Sequence, residues 1–97
     1  MKPLHIAALA EDELREARDW YEAQGPGLGR RLVGVVGKML VDIQENPLRF
    51  PIVHRDIRRA MVRRFPYAVF FCDQADVILV IGVVHRHRHP DTWKRRR

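Results

Sequence analysis

The sequence predicts an α+β fold of the order β-α-α-β-β-β, in which a helical hairpin packs on one face of a small antiparallel sheet. Apolar residues recur every three or four positions up to Asn46, as they do on amphipathic helices. Beyond Pro51 they form β-branched and aromatic runs separated by turn-forming residues. Because 97 residues allow only one core, we expect a single domain over residues 1–97, with residues 94–97 as a basic tail.

The N-terminal half is predicted to contain one strand and both helices. The strand is short and lies near residues 4–7. The first helix ends at Gly25, a residue that commonly terminates helices. The second runs from residue 28 to about Asn46, because Asn46 precedes a proline and such a residue avoids the helical region. The apolar face of the first helix is formed by Ala10, Leu14, Ala17 and Tyr21. That of the second is formed by Leu28, Leu32, Val35, Met39 and Ile43.

Three strands are predicted in the C-terminal half, from the runs IRRAMVRRF, YAVFFCD and DVILVIGVVHRH. Residues 73–76 would form the hairpin turn between the last two. Pro66 would stand at a strand start, since it cannot donate to a ladder. If the last strand continued to residue 89, its histidines would share one face and its arginines the other. These histidines are His85, His87 and His89.

Charge is distributed unevenly along the chain. Residues 1–48 contain six basic and eight acidic side chains, whereas residues 49–97 contain twelve basic and four acidic ones. A half with net charge +8 favours a polyanionic or acidic partner. No apolar stretch approaches the roughly 20 residues of a membrane span. The single Cys72 lies in an apolar run typical of a buried, reduced thiol. We therefore expect a cytoplasmic protein with no membrane contact.

Basic residues in the run DIRRAMVRRF are the first candidates for a binding surface. Guanidinium groups bind phosphate or carboxylate in a bidentate manner, so these arginines could bind an anionic partner. The alternative is a solvated edge strand, on which positive charge discourages aggregation. If the strand spans the whole run, Arg59 and Arg63 share one face and Arg58 and Arg64 the other.

The histidine–arginine run near the C-terminus is the second candidate. Three histidines on one strand would spread over roughly 13 Å, and Pro90 interrupts the strand, so we expect neither a metal site nor a cofactor. A neutral histidine beside arginines can serve as an acid, a base or a hydrogen-bond donor. Trp93 is interpreted as a core anchor, with base stacking as the alternative. Residues 95–97 are interpreted as a mobile, solvated tail.

Four blocks, WYEAQGPGLG, NPLRFP, RRFPYAVFF and HRHRHPDTW, occur in the order typical of the RelE/ParE toxin superfamily. The chain resembles, more narrowly, the ParE-like plasmid-stabilisation branch, from about residue 8 to residue 93. The RRFPY block and the ending formed by His85, Arg88, Pro90 and Trp93 are each typical of the family, and their combination makes the resemblance specific. The resemblance implies the toxin of a type II toxin–antitoxin module. A cognate antitoxin would neutralise it in a hetero-oligomeric complex.

The resemblance implies two alternative mechanisms. ParE-like toxins inhibit DNA gyrase without a demonstrated hydrolytic centre, whereas RelE-like toxins cut mRNA on the ribosome. Several RelE-like members use a C-terminal tyrosine, but here the aromatic residue is Trp93, whose indole N–H cannot accept a proton. We therefore favour a gyrase inhibitor that is not an enzyme. An endoribonuclease is the alternative, and a degenerate member that only binds its antitoxin is a third.

The two mechanisms use overlapping sets of candidate residues. For the ribonuclease, the catalytic candidates are Arg64, His85 and Arg88. For binding of the target or the antitoxin, the candidates are Arg59, Arg63, Arg64, His85, His87, Arg88 and Trp93.

Overall fold

A computed structural model describes residues 1–97 and contains two helices and five strands in the order β-α-α-β-β-β-β. The helices are α1 (Ala8–Gln24) and α2 (Leu28–Glu45). The strands are β1 (Leu4–Ile6), β2 (Ile52–His54), β3 (Ile57–Met61), β4 (Tyr67–Asp73) and β5 (Ile78–His85). Short 3₁₀ helices span Pro47–Arg49 and Thr92–Arg96. The predicted α+β class is confirmed, with one strand more than expected.

The five strands form one sheet in the order β1-β5-β4-β3-β2. β1 lies parallel to β5, and the other neighbours are antiparallel, so the sheet is mixed rather than purely antiparallel as predicted. The direction of β1 is determined by a contact with the last strand, which no local pattern indicates. β1 pairs with only the first three residues of β5, and the outer edge of β5 beyond Val80 therefore has no neighbouring strand.

The helical hairpin packs on one face of the sheet. This packing buries Ala10 and Ala17 of α1 and Leu32 and Ile43 of α2, which are four of the predicted apolar positions. The sheet residues buried beneath them include Val69, Phe71, Ile78 and Val80. Amphipathic spacing therefore identified the core face of both helices, because burial of that face supplies most of the stability of short helices.

Close approach of the two helices depends on Gly29. A Cβ atom at this position would lie 2.4 Å from the carbonyl oxygen of Arg18, so the helices would have to move apart. Gly29→Ala is therefore expected to lower the free energy of unfolding by about 1–3 kcal/mol, the usual cost of over-packing. Urea unfolding followed by circular dichroism measures this change.

Gly34 supplies the matched control in the same helix. Nothing lies within 4 Å of a Cβ added at Gly34, so alanine there should stabilise the helix by up to about 1 kcal/mol through its higher helix propensity. An equal loss of stability in the Gly34→Ala and Gly29→Ala variants would contradict the interpretation of Gly29 as a contact glycine.

The opposite face of the sheet is covered by the C-terminal segment. The Trp93 side chain is buried and stacks on Phe70, with ring centroids 4.1 Å apart and an interplanar angle of 13°. Its Nε1 donates a hydrogen bond to the carbonyl oxygen of Pro90 over 2.7 Å. The predicted anchor role of Trp93 is confirmed. A ring that is 5% exposed has no free face on which a nucleobase could stack.

The last residues are attached to the fold, contrary to the prediction of a solvated tail. Arg96 pairs with Glu13 of α1 over 2.7 Å, and Arg97 pairs with Asp56 over 2.8 Å. The first pair is mostly buried, and the second is more exposed. Glu13 and Asp56 lie far from the C-terminus in the sequence. The local run of cations therefore could not predict these two ion pairs.

β5 contains an extra residue relative to β4. The register shifts between Phe70 and Phe71, and Ile81 has no partner of its own across the two strands. Such a bulge reverses the alternation of side chains beyond it. Val83 and His85 consequently lie on the face of the sheet covered by the helices.

β5 ends at His85, four residues before the end assumed in the sequence prediction. The imidazole itself closes the following turn, because Nδ1 accepts hydrogen bonds from the backbone N–H groups of His87 and Arg88, each over 3.1 Å. The N–H group of His89 donates to the His85 carbonyl oxygen over 3.2 Å. Residues 86–89 therefore form a turn, and the predicted shared face of the three histidines is wrong.

Candidate functional site

A groove of about 490 Å³ lies between α1 and the end of β5, and we call it the first groove. One wall is acidic and the other basic, which gives the groove a strong internal charge gradient. The α1 wall includes Leu9, Asp12, Glu13, Glu16 and Trp20. The opposite wall and floor include Tyr67, Val83, His85, Arg88, His89 and Arg96.

Arg88 lines the first groove and contacts Tyr67 and Trp20. Its Nη2 donates to the hydroxyl oxygen of Tyr67 over 3.3 Å, and its Cζ lies 5.5 Å from the centre of the Trp20 ring. The cation–π contact contributes roughly 0.5–1 kcal/mol at an exposed site. Arg88 forms no ion pair with a carboxylate of the chain. Its guanidinium is thus held in place while its charge remains available to an incoming anionic group.

His85 and Tyr67 lie beside Arg88. Their rings meet edge to face, with centroids 5.2 Å apart. Burial lowers the pKa of His85, and the positive charge of Arg88 acts in the same direction. Burial raises the pKa of the Tyr67 hydroxyl, and Arg88 opposes this rise. At neutral pH the groove therefore holds a neutral imidazole, as predicted, together with a protonated phenol and a guanidinium.

Acidification is expected to loosen the turn at residues 86–89. Protonation would place a hydrogen on His85 Nδ1. This nitrogen could then no longer accept the hydrogen bonds from the N–H groups of His87 and Arg88. Because the folded-state pKa of His85 lies below its ordinary 6.5, this stability is fully present above that value. It is lost as the pH falls through the lower folded-state value. Urea unfolding from about pH 7.5 to pH 5 measures the loss.

His85→Asn is the matched control for the acid effect. The asparagine carbonyl oxygen can accept the same backbone hydrogen bonds, but it does not titrate in this range. The variant should therefore lose less stability on acidification than the wild-type protein. Identical pH dependence in the two proteins would rule out His85 as the responsible group.

Arg63 and Arg64 line a different groove, which lies beside α2 and which we call the second groove. β3 ends at Met61, so both arginines lie in the loop before β4, and the strand faces predicted for them are wrong. Arg64 has a φ of 69°, in the left-handed region that non-glycine residues rarely adopt. The other lining residues are Val35, Lys38, Met39 and Asp42.

The remaining candidates lie outside both grooves. Arg59 of β3 pairs with Phe70 and therefore shares the sheet face that the C-terminal segment covers. Its Nε is buried and has no hydrogen-bond partner. His87 is exposed in the turn after β5.

The structure therefore separates the three residues considered for a ribonuclease. His85 and Arg88 lie together in the first groove, whereas Arg64 lies in the second. The sequence analysis did not identify Tyr67, Trp20 or Glu13 as site residues. The alternation along β4 places Tyr67 on the helix-covered face, which was an available signal. Nothing in the sequence indicated which side of α1 would meet the end of β5.

The same architecture occurs in a solved structure described as "Chromosomal ParDE TA system from P. aeruginosa". The TM-score is 0.78, the identity is 18%, and the match covers 88% of this chain and 96% of that chain. The hairpin and the mixed sheet thus have the fold of that structure. Over residues 4–90 the chain also matches the family described as "ParE toxin of type II toxin-antitoxin system, parDE". The chain belongs to this ParE toxin family.

No curated protein matches the chain. Neither helix combines the length and the apolar composition that crossing a membrane requires.

Proposed function

We propose that this toxin inhibits DNA gyrase in the cytoplasm and is neutralised by a cognate antitoxin. Membership of the ParE family supports an antitoxin partner. The observation that carries the choice of gyrase over RNA is the separation of the ribonuclease candidates. A hydrolytic centre needs its proton-transfer and charge-stabilising groups within reach of one phosphodiester. Here Arg64 lies in another groove, and His85 Nδ1 is engaged by two backbone N–H groups.

The two grooves allow the toxin to bind two different partners. In the first groove, Arg88 would bind a carboxylate of the target, with Trp20 providing an apolar contact beside it. In the second groove, Val35 and Met39 are half-buried, and the charged lining consists of one acid, Asp42, and three cations, which are Lys38 and the two loop arginines. An amphipathic, acidic antitoxin segment would complement that combination of apolar floor and cationic rim.

A supercoiling assay with purified gyrase tests the proposed function. The toxin should inhibit the introduction of negative supercoils, and an equimolar amount of the cognate antitoxin should restore it. The control compares supercoiling in the presence of toxin alone with supercoiling in the presence of toxin premixed with antitoxin. Normal supercoiling at toxin concentrations above those that arrest growth would contradict gyrase as the target.

One observation favours a ribosome-dependent endoribonuclease as the second candidate. The Tyr67 hydroxyl, the His85 ring and the Arg88 guanidinium converge in the first groove, so a phenol is present even without a tyrosine near the C-terminus. Its raised pKa suits a proton donor rather than a base. New cleavage ends in translated mRNA, lost in Tyr67→Phe, together with unimpaired supercoiling, would establish this mechanism instead.

A further inference from the structure

β5 has an open edge beyond its pairing with β1. The last backbone hydrogen bond between the two segments runs from the Ala7 N–H group to the Val80 carbonyl oxygen over 2.9 Å. The chain then enters α1, and no further strand follows along this edge. Unpaired N–H and carbonyl groups at a sheet edge need other partners when they are shielded from water.

Two side chains from opposite ends of the chain substitute for the missing strand. Glu13 Oε1 accepts a hydrogen bond from the Val83 N–H group over 3.0 Å, and Arg96 Nη1 donates to the Ile81 carbonyl oxygen over 3.1 Å. The two side chains also bind each other through Nη1–Oε1 and Nη2–Oε2 contacts of 2.7 and 2.9 Å. Their exposed fractions are only 19% for Glu13 and 16% for Arg96. One bidentate pair thus satisfies two main-chain groups as well as itself.

Gly82 permits this close approach. A Cβ atom there would lie 2.8 Å from Arg96 Nη1 and 3.6 Å from Glu13 Oε1. Glycine inside a strand normally weakens it and often marks a place where another group comes near. Here the group is the Arg96 guanidinium. We call Glu13, Gly82 and Arg96 together the edge clamp.

We propose that the edge clamp positions Arg88 for target binding. Glu13 belongs to α1, and Arg96 belongs to the segment that follows the 86–89 turn, so the clamp joins the two walls of the first groove. The segment between Arg88 and Arg96 is held at one end by the His85 cap and at the other by the clamp. Glu13 and Arg96 therefore influence target binding indirectly, through the position of Arg88. Only this influence on target binding rests on the proposed function.

Hydrogen exchange on the purified full-length toxin tests the clamp independently of any target. In Arg96→Ala, Glu13 loses the partner that holds it against the Val83 N–H group, so the amides of Val83 and of residues 86–89 should exchange roughly tenfold faster, as the loss of one hydrogen bond implies. Arg97→Ala removes the same charge from the adjacent pair with Asp56 and should leave these amides unchanged. Unchanged exchange in Arg96→Ala would overturn the proposal.

Two further variants change the edge clamp in other ways. Gly82→Ala should reproduce the fast exchange. Arg96→Lys keeps the charge and a hydrogen-bond donor, so it should restore part of the protection.

A charge exchange distinguishes the clamp from an ordinary ion pair. In the Glu13→Arg/Arg96→Glu double variant the two side chains still attract each other. However, the side chain on α1 can no longer accept from the Val83 N–H group, and its partner can no longer donate to the Ile81 carbonyl oxygen. Fast exchange should therefore persist in the double variant. Recovery of wild-type protection would identify a simple ion pair and overturn the proposal.

Gyrase inhibition supplies the functional readout. Arg96→Ala should lose roughly tenfold in potency, in step with its exchange, while Arg97→Ala keeps wild-type potency. Full potency in an Arg96→Ala protein with fast exchange would overturn the positioning role. Failure of the wild-type toxin to inhibit gyrase would instead contradict the proposed function. The same comparison would then be made on growth arrest, where equal potency of Arg96→Ala and wild type would overturn the positioning role.

Discussion

Replacing Arg88 with alanine is expected to reduce gyrase inhibition by roughly 30-fold or more while leaving the protein folded. Arginines at the centre of interfaces commonly contribute about 2 kcal/mol or more, and each 1.4 kcal/mol corresponds to about tenfold in affinity. The side chain is exposed, and its contacts within the protein are the weak ones to Tyr67 and Trp20. Supercoiling inhibition measured against toxin concentration gives the loss directly.

Arg86→Ala is the matched control for Arg88→Ala. Arg86 lies in the same turn, carries the same charge and is also exposed. Its hydrogen bond to the Pro66 carbonyl oxygen comes from the backbone N–H group and survives the substitution. Equal losses in the two variants would show that net charge matters rather than the position of one guanidinium. The antitoxin affinity of Arg88→Ala should remain near that of the wild-type toxin, because the second groove is untouched.

Trp93→Ala is expected to produce the largest loss of stability, about 3–5 kcal/mol, as is usual for removal of a buried aromatic side chain. The substitution removes the stack on Phe70 and the hydrogen bond to Pro90, and it leaves a cavity under the C-terminal segment. Urea unfolding followed by circular dichroism measures the change. A small domain whose stability lies at the lower end of the usual range, about 5 kcal/mol, would then be partly unfolded at physiological temperature.

Two further tryptophan substitutions show where that stability resides. Trp93→Phe keeps the stacked ring and loses the indole donor, so it should cost considerably less than the alanine variant. Trp20→Ala removes a ring that is 47% exposed and should cost about 1 kcal/mol or less. A loss in Trp93→Ala no greater than that in Trp20→Ala would contradict the anchor role.

The helices and the longer strands could be predicted from the sequence because their patterns are local. Ala10, Leu32 and Ile43 recur with the helical period, and the helix ends at Gly25 and Asn46 follow from backbone chemistry. β2 was missed because three residues are too few to display an alternation. The parallel pairing of β1 with β5 was missed because it joins segments more than 70 residues apart.

The candidate site could be predicted only in part. His85 and Arg88 stand out in the sequence because they lie in a specific terminal pattern. Trp20 and Glu13 belong to the site only because α1 presents that side to the end of β5. β3 ends earlier than predicted, and the left-handed backbone of Arg64 lies in the loop that follows it. β5 ends earlier because the His85 side chain closes the following turn, which overrides strand propensity.

The bulge at Ile81 makes the composition of the first groove depend on the length of one strand. Ile81 has no partner on β4, whereas Val83 and His85 lie opposite Val69 and Tyr67 and share their face. Deletion of Ile81 would remove the bulge and leave these pairs opposite each other, so His85 would remain on the face covered by the helices. One residue inserted between Gly82 and Val83 would instead move His85 one position beyond Tyr67, onto the face covered by Trp93. Such an insertion should therefore abolish target binding, although every side chain that forms the groove would still be encoded.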